Sequence, residues 1–454
     1  MTRIVIDPLT RIEGHLRIEL EVEGNVVVRA RSSGTSFRGI ENLLHGRDPR
    51  DAAHITQRIC GVCPIPHARA ACEAFENAAG LTVNPQARRI RNIVQAANFI
   101  DSHLLSFYLL TLPDFVSGLP MATTSGSPKT RYGGKGLDPS ALAEHAKVSL
   151  RIRRSCHEII VALAGKMPHA AGIVPGGATV VPSAALLNEL AALSSEIRAF
   201  VEDAYAFDVK ALAGAFPAYL DIAASGSAFL AFGAFPADQG QLLLPAGLSG
   251  PEGSVLSPVD ATAVAESTAS ARYAVAAPAH PAVGSTDPAL DRVDAYSWIK
   301  APRLAGQPCE VGPLARALLS GCDLGHRGLM ARHLARQSEA SLLAAWIGTW
   351  LAELQPGVSA LPAFPQIPTV ATGVGLTEGP RGALGHWLDI NAALVSHYGI
   401  VSPTTWNASP RDDQGIAGPI ERALEGIALA DPSDPIEVLR VVHSFDPCLQ
   451  CAVH

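Results

Sequence analysis

Apolar and polar residues alternate from His15 to Ser33 around Glu23, Gly24 and Asn25, which predicts a β-hairpin. Beyond it the period lengthens to that of helices. A short helix is expected from Gly39 to His45, and Asp48-Pro49 should cap a second one running toward Arg58. Pro64 and Pro66 stand at the start of a helix that continues from His67 to Ala79. A long helix from Pro85 to about Leu112 places Ile90, Val94, Ala97, Ile100, Leu104 and Tyr108 on one face. Further helices are expected at 140–166, 185–213, 310–320 and 326–354, and near 416–428. Asp434 and Pro435 have the chemistry to start a last helix ending near His443. Short strands are expected near 368–376 and 383–390. Residues 119–139 read as loop, and 214–300 as irregular β-structure. The pattern predicts an α+β chain, mainly helical, with a helical core and small peripheral sheets. No repeat or linker divides it, so 1–454 is expected to be a single domain.

Composition narrows the function. The chain carries 35 Lys+Arg against 42 Asp+Glu, a net charge of −7, which argues against a nucleic-acid partner. Charged residues are 17% of the chain, well below the roughly 25% of ordinary soluble domains. With 48% hydrophobic residues, the chain has either a very large core or a broad interface buried by a partner. The best apolar stretch, Ala211 to Pro236, is broken by Pro217 and Asp221 and is rejected as a membrane span. The N-terminus shows no secretory h-region, although export on a partner's signal stays open, so localisation is not read from the sequence.

Eight cysteines include two C-x-x-C pairs, Cys60/Cys63 and Cys448/Cys451, lying 385 residues apart (Cys63 to Cys448). Four thiolates suit one soft metal. Zinc ribbons usually separate their pairs by some 15–20 residues, so the gap fits them poorly. Structural zinc, a catalytic transition metal, a redox pair and unrelated cysteines all stay open on spacing alone.

The neighbouring residues add a resemblance. RICGVCPIPHA (58–68) and DPCLQCAVH (446–454) resemble the two metal-binding motifs of the nickel–iron hydrogenase large subunit. DPLTRIEGH (7–15), FRGIENLLHGRDPRD (37–51), YSWIKAPR (296–303), EVGPLAR (310–316), PRGALGHW (380–387) and PTTWNASPRD (403–412) resemble uptake-type members in the same order. The resemblance spans residue 5 to the end and thins through 120–290.

The resemblance implies the hydrogenase large-subunit fold, a nickel ion on all four cysteines, and an iron carrying carbon monoxide and cyanide. Cys60 and Cys448 would be terminal nickel ligands, and Cys63 and Cys451 would bridge nickel to iron. Glu13 matches the proton-gate carboxylate, and Arg381 the arginine over the iron, a base or an electrostatic stabiliser. The thiolate of Cys448, or Arg381, would take the proton from H₂. Pro380 and Thr404 match positions that meet the cyanides. Glu41, the carbonyl of Ile400 and His454 match ligands of a magnesium ion. His67 would donate to a bridging sulfur, and Ser102 and Asp446 would belong to the canopy above the metals. Val62 and Leu110 would line the gas path.

Serine at 102 departs from the aspartate of many members, and Ser106 and Leu109 replace histidines common in that helix. Cys72, Cys156, Cys309 and Cys322 match no metal motif and read as small buried hydrophobes. With no further cysteine set, no iron–sulfur cluster is expected in this chain, and the electron relay would belong to an iron–sulfur small subunit. The implied reaction is reversible, heterolytic cleavage of H₂, with electrons passed to that heterodimer partner. A maturation protease and nickel-insertion factors are implied as further partners, and association with a membrane only through partner subunits. The rival readings are a hydrogen sensor on the same scaffold, which tends to carry bulkier gas-channel residues, and a respiratory relative that has lost its metal. Four retained cysteines count against the latter.

Overall fold

The hairpin is present, and it carries a third strand that alternation did not announce. The computed structural model describes residues 1–116, 136–253, 257–275, 277–361 and 365–454. Strand β1 (Thr2–Leu9) pairs antiparallel with β2 (Leu16–Glu23), which pairs with β3 (Val26–Gly34). Gly24 and Asn25 make the turn, both with positive φ (54° and 67°), the geometry that matches strand twist in a two-residue hairpin. In β2 the buried residues are Leu16, Ile18, Leu20 and Val22. In β1 only Leu9 is fully buried, which is why its pattern is silent.

A second sheet orders β4 (Val370–Gly379), β5 (Gly382–Asn391) and β6 (Leu394–Val401) as an antiparallel meander. The two expected strands are longer than read and are joined by the two residues Pro380 and Arg381. The third strand was missed because its second half, Tyr398–Val401, is buried on both faces and does not alternate. This sheet lies against helix α1 (Pro64–Ala79) at backbone distance. A Cβ added at Gly373 would fall 2.0 Å from the Ala74 carbonyl oxygen, and one at Gly375 1.9 Å from that of Ala70. Glycine facing alanine is what allows the approach.

The long helix is two structures in sequence. Helix α2 (Pro85–Leu104) starts where Asn84 accepts the Ala87 N–H at 2.8 Å, and a π turn (Leu105–Thr111) and a short 3₁₀ turn (Leu112–Asp114) continue it. It packs between α3 (Pro139–Ala164) and α5 (Leu329–Glu353), with α4 (Ala184–Phe200) against both of those. A second π turn (Val201–Tyr205) separates α4 from the helical stretch Ala206–Ala215. The helix expected at 310–320 is shortened to Pro313–Leu319, because Cys309–Val311 is a strand parallel to Ala228–Ala231. Near 416–428 only Pro419–Leu424 is helical. Between Pro49 and Ile59 the expected helix breaks into 3₁₀ and α turns. The last long helix, α6, runs Ile436–Phe445, so Pro435 precedes it instead of opening it. Residues 214–300 hold short strands as expected. Most of the 119–139 loop lies outside the described residues. No helix among the described residues is long and apolar enough to cross a membrane.

One apolar cluster collects residues from Leu9 to Val453, so both chain ends enter the same core. Buried polar groups come with it. Glu421 is fully buried, and its Oε1 accepts the Ser32 N–H and the Tyr296 hydroxyl, both at 2.9 Å. Burial pushes this carboxyl up to about 7. The native state therefore keeps a proton that an unfolded glutamate, with a pKa of about 4.3, gives up earlier. Stability contributed below that lower value is lost as pH rises through the upper one. Glu421→Gln is expected to remove this part of the pH dependence, on the order of 1 kcal/mol per pH unit, in urea unfolding between about pH 4.5 and 7. Identical slopes in variant and parent would show that Glu421 is ionised in the native state.

Candidate metal centre

Each C-x-x-C pair sits at a helix start. Cys63 is the residue before α1, with Pro64 in its first turn, and Cys448 is the residue before a short helix α7 (Leu449–Ala452) that contains Cys451. Free N–H groups at such starts stabilise thiolates. Cys60 Sγ accepts from the N–H groups of Val62 and Cys63, each at 3.3 Å. Hydrogen bonds from Cys448, Cys451 and Cys63 hold the Cys60 thiol well below its ordinary value, while burial pushes Cys448 and Cys451 up.

The sulfurs form a closed ring. Cys60 to Cys448 is 3.4 Å, Cys448 to Cys451 2.9 Å, Cys451 to Cys63 3.4 Å and Cys63 to Cys60 3.2 Å. All four lie within 4.8 Å of one another, are buried and form no disulfide. Four sulfurs at about 2.3 Å from one ion would be roughly 3.3–3.8 Å apart, so small adjustments admit a metal. Backbone contacts hold the distant segments together. The Leu449 N–H donates to the Glu13 carbonyl at 2.7 Å. Arg38 donates to the carbonyls of Ile59, of Arg58 (2.8 Å) and of Gln450 (3.3 Å), tying one cysteine loop to the other.

Arg381 is delivered by the tip of the β4–β5 turn. Its Nε donates to the Asp446 carbonyl at 2.6 Å and Nη2 to Asp446 Oδ1 at 3.1 Å. Nη1 is buried with no partner among the described residues. Burial opposes the charge, but Asp446 and the sulfurs of Cys63, Cys448 and Cys60 outweigh it and hold Arg381 protonated well above its ordinary range. Asp446 ends α6 with a positive φ of 53°, which turns the chain into the second cysteine motif. A small cavity is lined by Cys63, Cys451, His67, Pro380, Arg381 and Thr404, among others. Thr404 Oγ1 accepts the Cys448 N–H at 2.9 Å, leaving its own hydrogen free to donate.

Glu13 adjoins Cys448 through a parallel bridge but is only half-buried. Burial, then the charge of Cys60, raises its pKa. Ser102 is fully buried on α2. Val62 and Leu110 are half-buried, and Asn98 Nδ2 donates to the Val62 carbonyl at 2.9 Å. The hydrogen bond formed by His67 Nδ1 runs to His386 Nε2 at 3.2 Å, and His386 Nδ1 meets the Tyr398 hydroxyl at 2.9 Å. This anchors His67 to the sheet through Nδ1.

The expected second metal set also converges. His454 Nε2 is 3.0 Å from the Ile400 carbonyl oxygen and 3.5 Å from Glu41 Oε1. Glu41 also accepts the Ile400 N–H at 2.7 Å and the Thr286 hydroxyl at 2.5 Å. Burial opposes its charge, yet Lys300 and His454 hold its carboxyl far below the usual range. Lys300 Nζ lies 3.8 Å from Glu41 and 3.3 Å from Glu266. Lys300, Glu266, Thr286, Arg38 and His386 were not singled out in the sequence. Arg38, Lys300 and His386 stood inside the quoted motifs, whereas Glu266 and Thr286 carried no signal. Of the four unassigned cysteines, Cys72, Cys156 and Cys309 are buried, but Cys322 is exposed in the loop after Pro313–Leu319, which corrects its expected burial.

Comparison with known proteins agrees with this geometry. A family model described as nickel-dependent hydrogenase matches residues 38–130, 140–326 and 325–454, and a HoxL-like model matches 3–33. The periplasmic [NiFeSe] hydrogenase large subunit of Desulfomicrobium baculatum is 39% identical over all of this chain and 95% of that protein. The hydrogenase-2 large chain of Escherichia coli K12 is 32% identical over all of this chain and 97% of that one. The solved reduced [NiFeSe] hydrogenase of D. vulgaris Hildenborough superposes with a TM-score of 0.94 at 37% identity, each chain fully covered. The chain belongs to the nickel-dependent hydrogenase family. It is a large subunit of that family and an oxidoreductase, with four clustered cysteines able to bind a metal.

Arg38 offers a test of how the centre is held. Arg38→Ala should leave carbonyls of both cysteine loops without their donor, at about 1–3 kcal/mol of stability, and lower the nickel retained on purification. Unchanged nickel content and unchanged denaturant midpoint would assign the closure to the Glu13–Leu449 contact alone.

Proposed function

We propose that this large subunit cleaves H₂ heterolytically, with nickel on Cys60, Cys63, Cys448 and Cys451 and an iron, carrying carbon monoxide and cyanide, on Cys63 and Cys451. The four-sulfur ring carries this reading. The surroundings fit diatomic acceptor ligands on the iron. Among the described residues Arg381 Nη1 has no partner and the Thr404 hydroxyl hydrogen has no acceptor, and both residues line the cavity beside Cys63 and Cys451. When bound, the metals supply soft, redox-active coordination with an open position at which H₂ is polarised and gives up two electrons.

The protein's part is proton handling and exclusion of water. Cys448 Sγ, which adjoins Glu13 through a backbone bridge, receives the proton. Glu13 takes it onward, helped by a carboxyl poised above the ordinary glutamate value. Arg381, permanently charged and fixed by Asp446, offers hydrogen bonds without taking part as a base. Glu41, the Ile400 carbonyl and His454 would hold Mg²⁺, whose octahedral oxygen-rich shell their chemistry suits. Electrons leave to an iron–sulfur small subunit. The half-exposed Glu13 beside buried sulfur is consistent with a partner covering that side. Val62 and Leu110 flank the gas path. Both chain ends share one core, which supports a single folding unit over 1–454.

Two experiments test this. The purified complex should hold nickel and iron near one each in this subunit and show infrared bands of carbon monoxide and cyanide; zinc alone, without bands, would refute the assignment. Glu13→Gln keeps size and hydrogen bonding, so the bands should stay normal while hydrogen oxidation falls at least about a hundredfold. Para–ortho hydrogen conversion should survive better than exchange with solvent protons. Oxidation at the parental rate would make Glu13 structural.

A further inference from the structure

A helical serine or threonine often satisfies its hydroxyl on the carbonyl one turn back. In this chain Thr56 does so on Ala52 (2.8 Å), Ser155 on Arg151 (3.3 Å), Ser195 on Ala191 (3.0 Å) and Thr349 on Ala345 (3.4 Å). Ser102, Ser106 and Thr111 do not. All three are fully buried, and none of their hydroxyls has a partner among the described residues. Gln95 Oε1 and Asn98 Oδ1 on the same helix are in the same condition. Positions 95, 98 and 102 share one face of α2, and 106 continues it into the π turn. The wider step of the π turn then keeps Thr111 in line with them.

The face has a defined start and end. At the inner end, Asn98 Nδ2 bonds the Val62 carbonyl, between Cys60 and Cys63, and Gln95 Nε2 bonds the Glu378 carbonyl, each at 2.9 Å. At the outer end, the half-buried Leu110 presents its carbonyl to Arg11 Nη1 at 2.7 Å, and the Arg11 side chain is 14% exposed. Across from the π turn, the Phe107 ring lies 5.4 Å from that of Tyr205 and 6.4 Å from that of His333. The Tyr205 hydroxyl, His333 Nε2 and Arg336 Nε are buried and equally without partners. The five atoms along the helix, and the three across the Phe107 ring, cannot all be left dry at tolerable cost, and the group that satisfies such sets is water.

We propose that a chain of ordered water runs along this face from the Cys60–Cys63 loop to the surface at Arg11, and that it is a second proton exit, separate from Glu13. The water chain stands on the buried polar atoms alone; its use as an exit rests on the hydrogen-cleaving function proposed above. A proton entering at the sulfur end is matched by one released at the Arg11 end, by successive O–H transfers that need no ionising side chain and no oxidant.

Three measurements on the intact, metal-loaded complex decide it. A high-resolution crystal structure should show ordered water within hydrogen-bond reach of Ser106 Oγ and Thr111 Oγ1; a dry face overturns the proposal whatever the metals do. Ser106→Ala and Thr111→Val should melt at or below the parental temperature, since each removes a satisfied hydroxyl, whereas a rise in both would mean the hydroxyls had no partner. In a Glu13→Gln background, adding Thr111→Val should slow exchange of deuterium with solvent protons several-fold further, with nickel content and infrared bands unchanged. No further slowing overturns the exit. Absence of those bands from the parent protein would instead refute the hydrogen-cleaving reading and leave the water assignment to the crystal structure.

Discussion

Everything in the centre depends on closing a loop of 385 residues, from Cys63 to Cys448, so that four sulfurs meet within 4.8 Å. Ordering that much chain costs far more entropy than any sulfur contact returns. The closure is therefore made by the core, which collects Leu9 and Val453 alike, and finished by a few directed bonds. Glu13 to Leu449 and Arg38 to Gln450 join the segments at the sulfurs themselves. The site is a product of the whole fold.

Electrostatics then divide the labour. Backbone N–H groups of Val62 and Cys63 favour negative sulfur at Cys60, while burial works against charge at Cys448 and Cys451. Arg381 balances the negative sulfur from one side, pinned by Asp446 so that it is a fixed charge. The Glu41 cluster, with Lys300 beside it, sits under the terminal histidine and locks the chain end that carries Cys451.

Much of this was legible in the sequence because chemistry was local. Cys60, Cys63, Cys448, Cys451, Glu13, Arg381, Glu41 and His454 stand in short motifs, and the structure brings each group together. The starts of helices with strong caps, such as those after Asn84 and Ser183, were found within a residue. What escaped was set by tertiary context. Strand β1 buries almost nothing of its own, and the end of β6 is buried on both faces. The helix read from Pro85 to Leu112 changes hand-over at Leu105, where the apolar period continues but the hydrogen bonding does not. Glu266 and Thr286 join their cluster from a stretch with little regular structure, so spacing said nothing of them. Cys322 looks like a core residue by type and lies outside by position.

The β4–β5 turn has a consequence for how this fold tolerates change. Pro380 and Arg381 are the whole connection, and Gly379 pairs directly with Gly382. A side chain at Gly382 would strike Val311 at 2.4 Å, so the tip has neither spare length nor spare width. The reach of the guanidinium is thus measured out by two paired strands, as a depth stop is set on a drill. Adding one residue to either strand would reverse the faces of all that follow and carry Arg381 away from Asp446. An insertion would be tolerated only in segments elsewhere, and the strands beneath the arginine act as a ruler of fixed length.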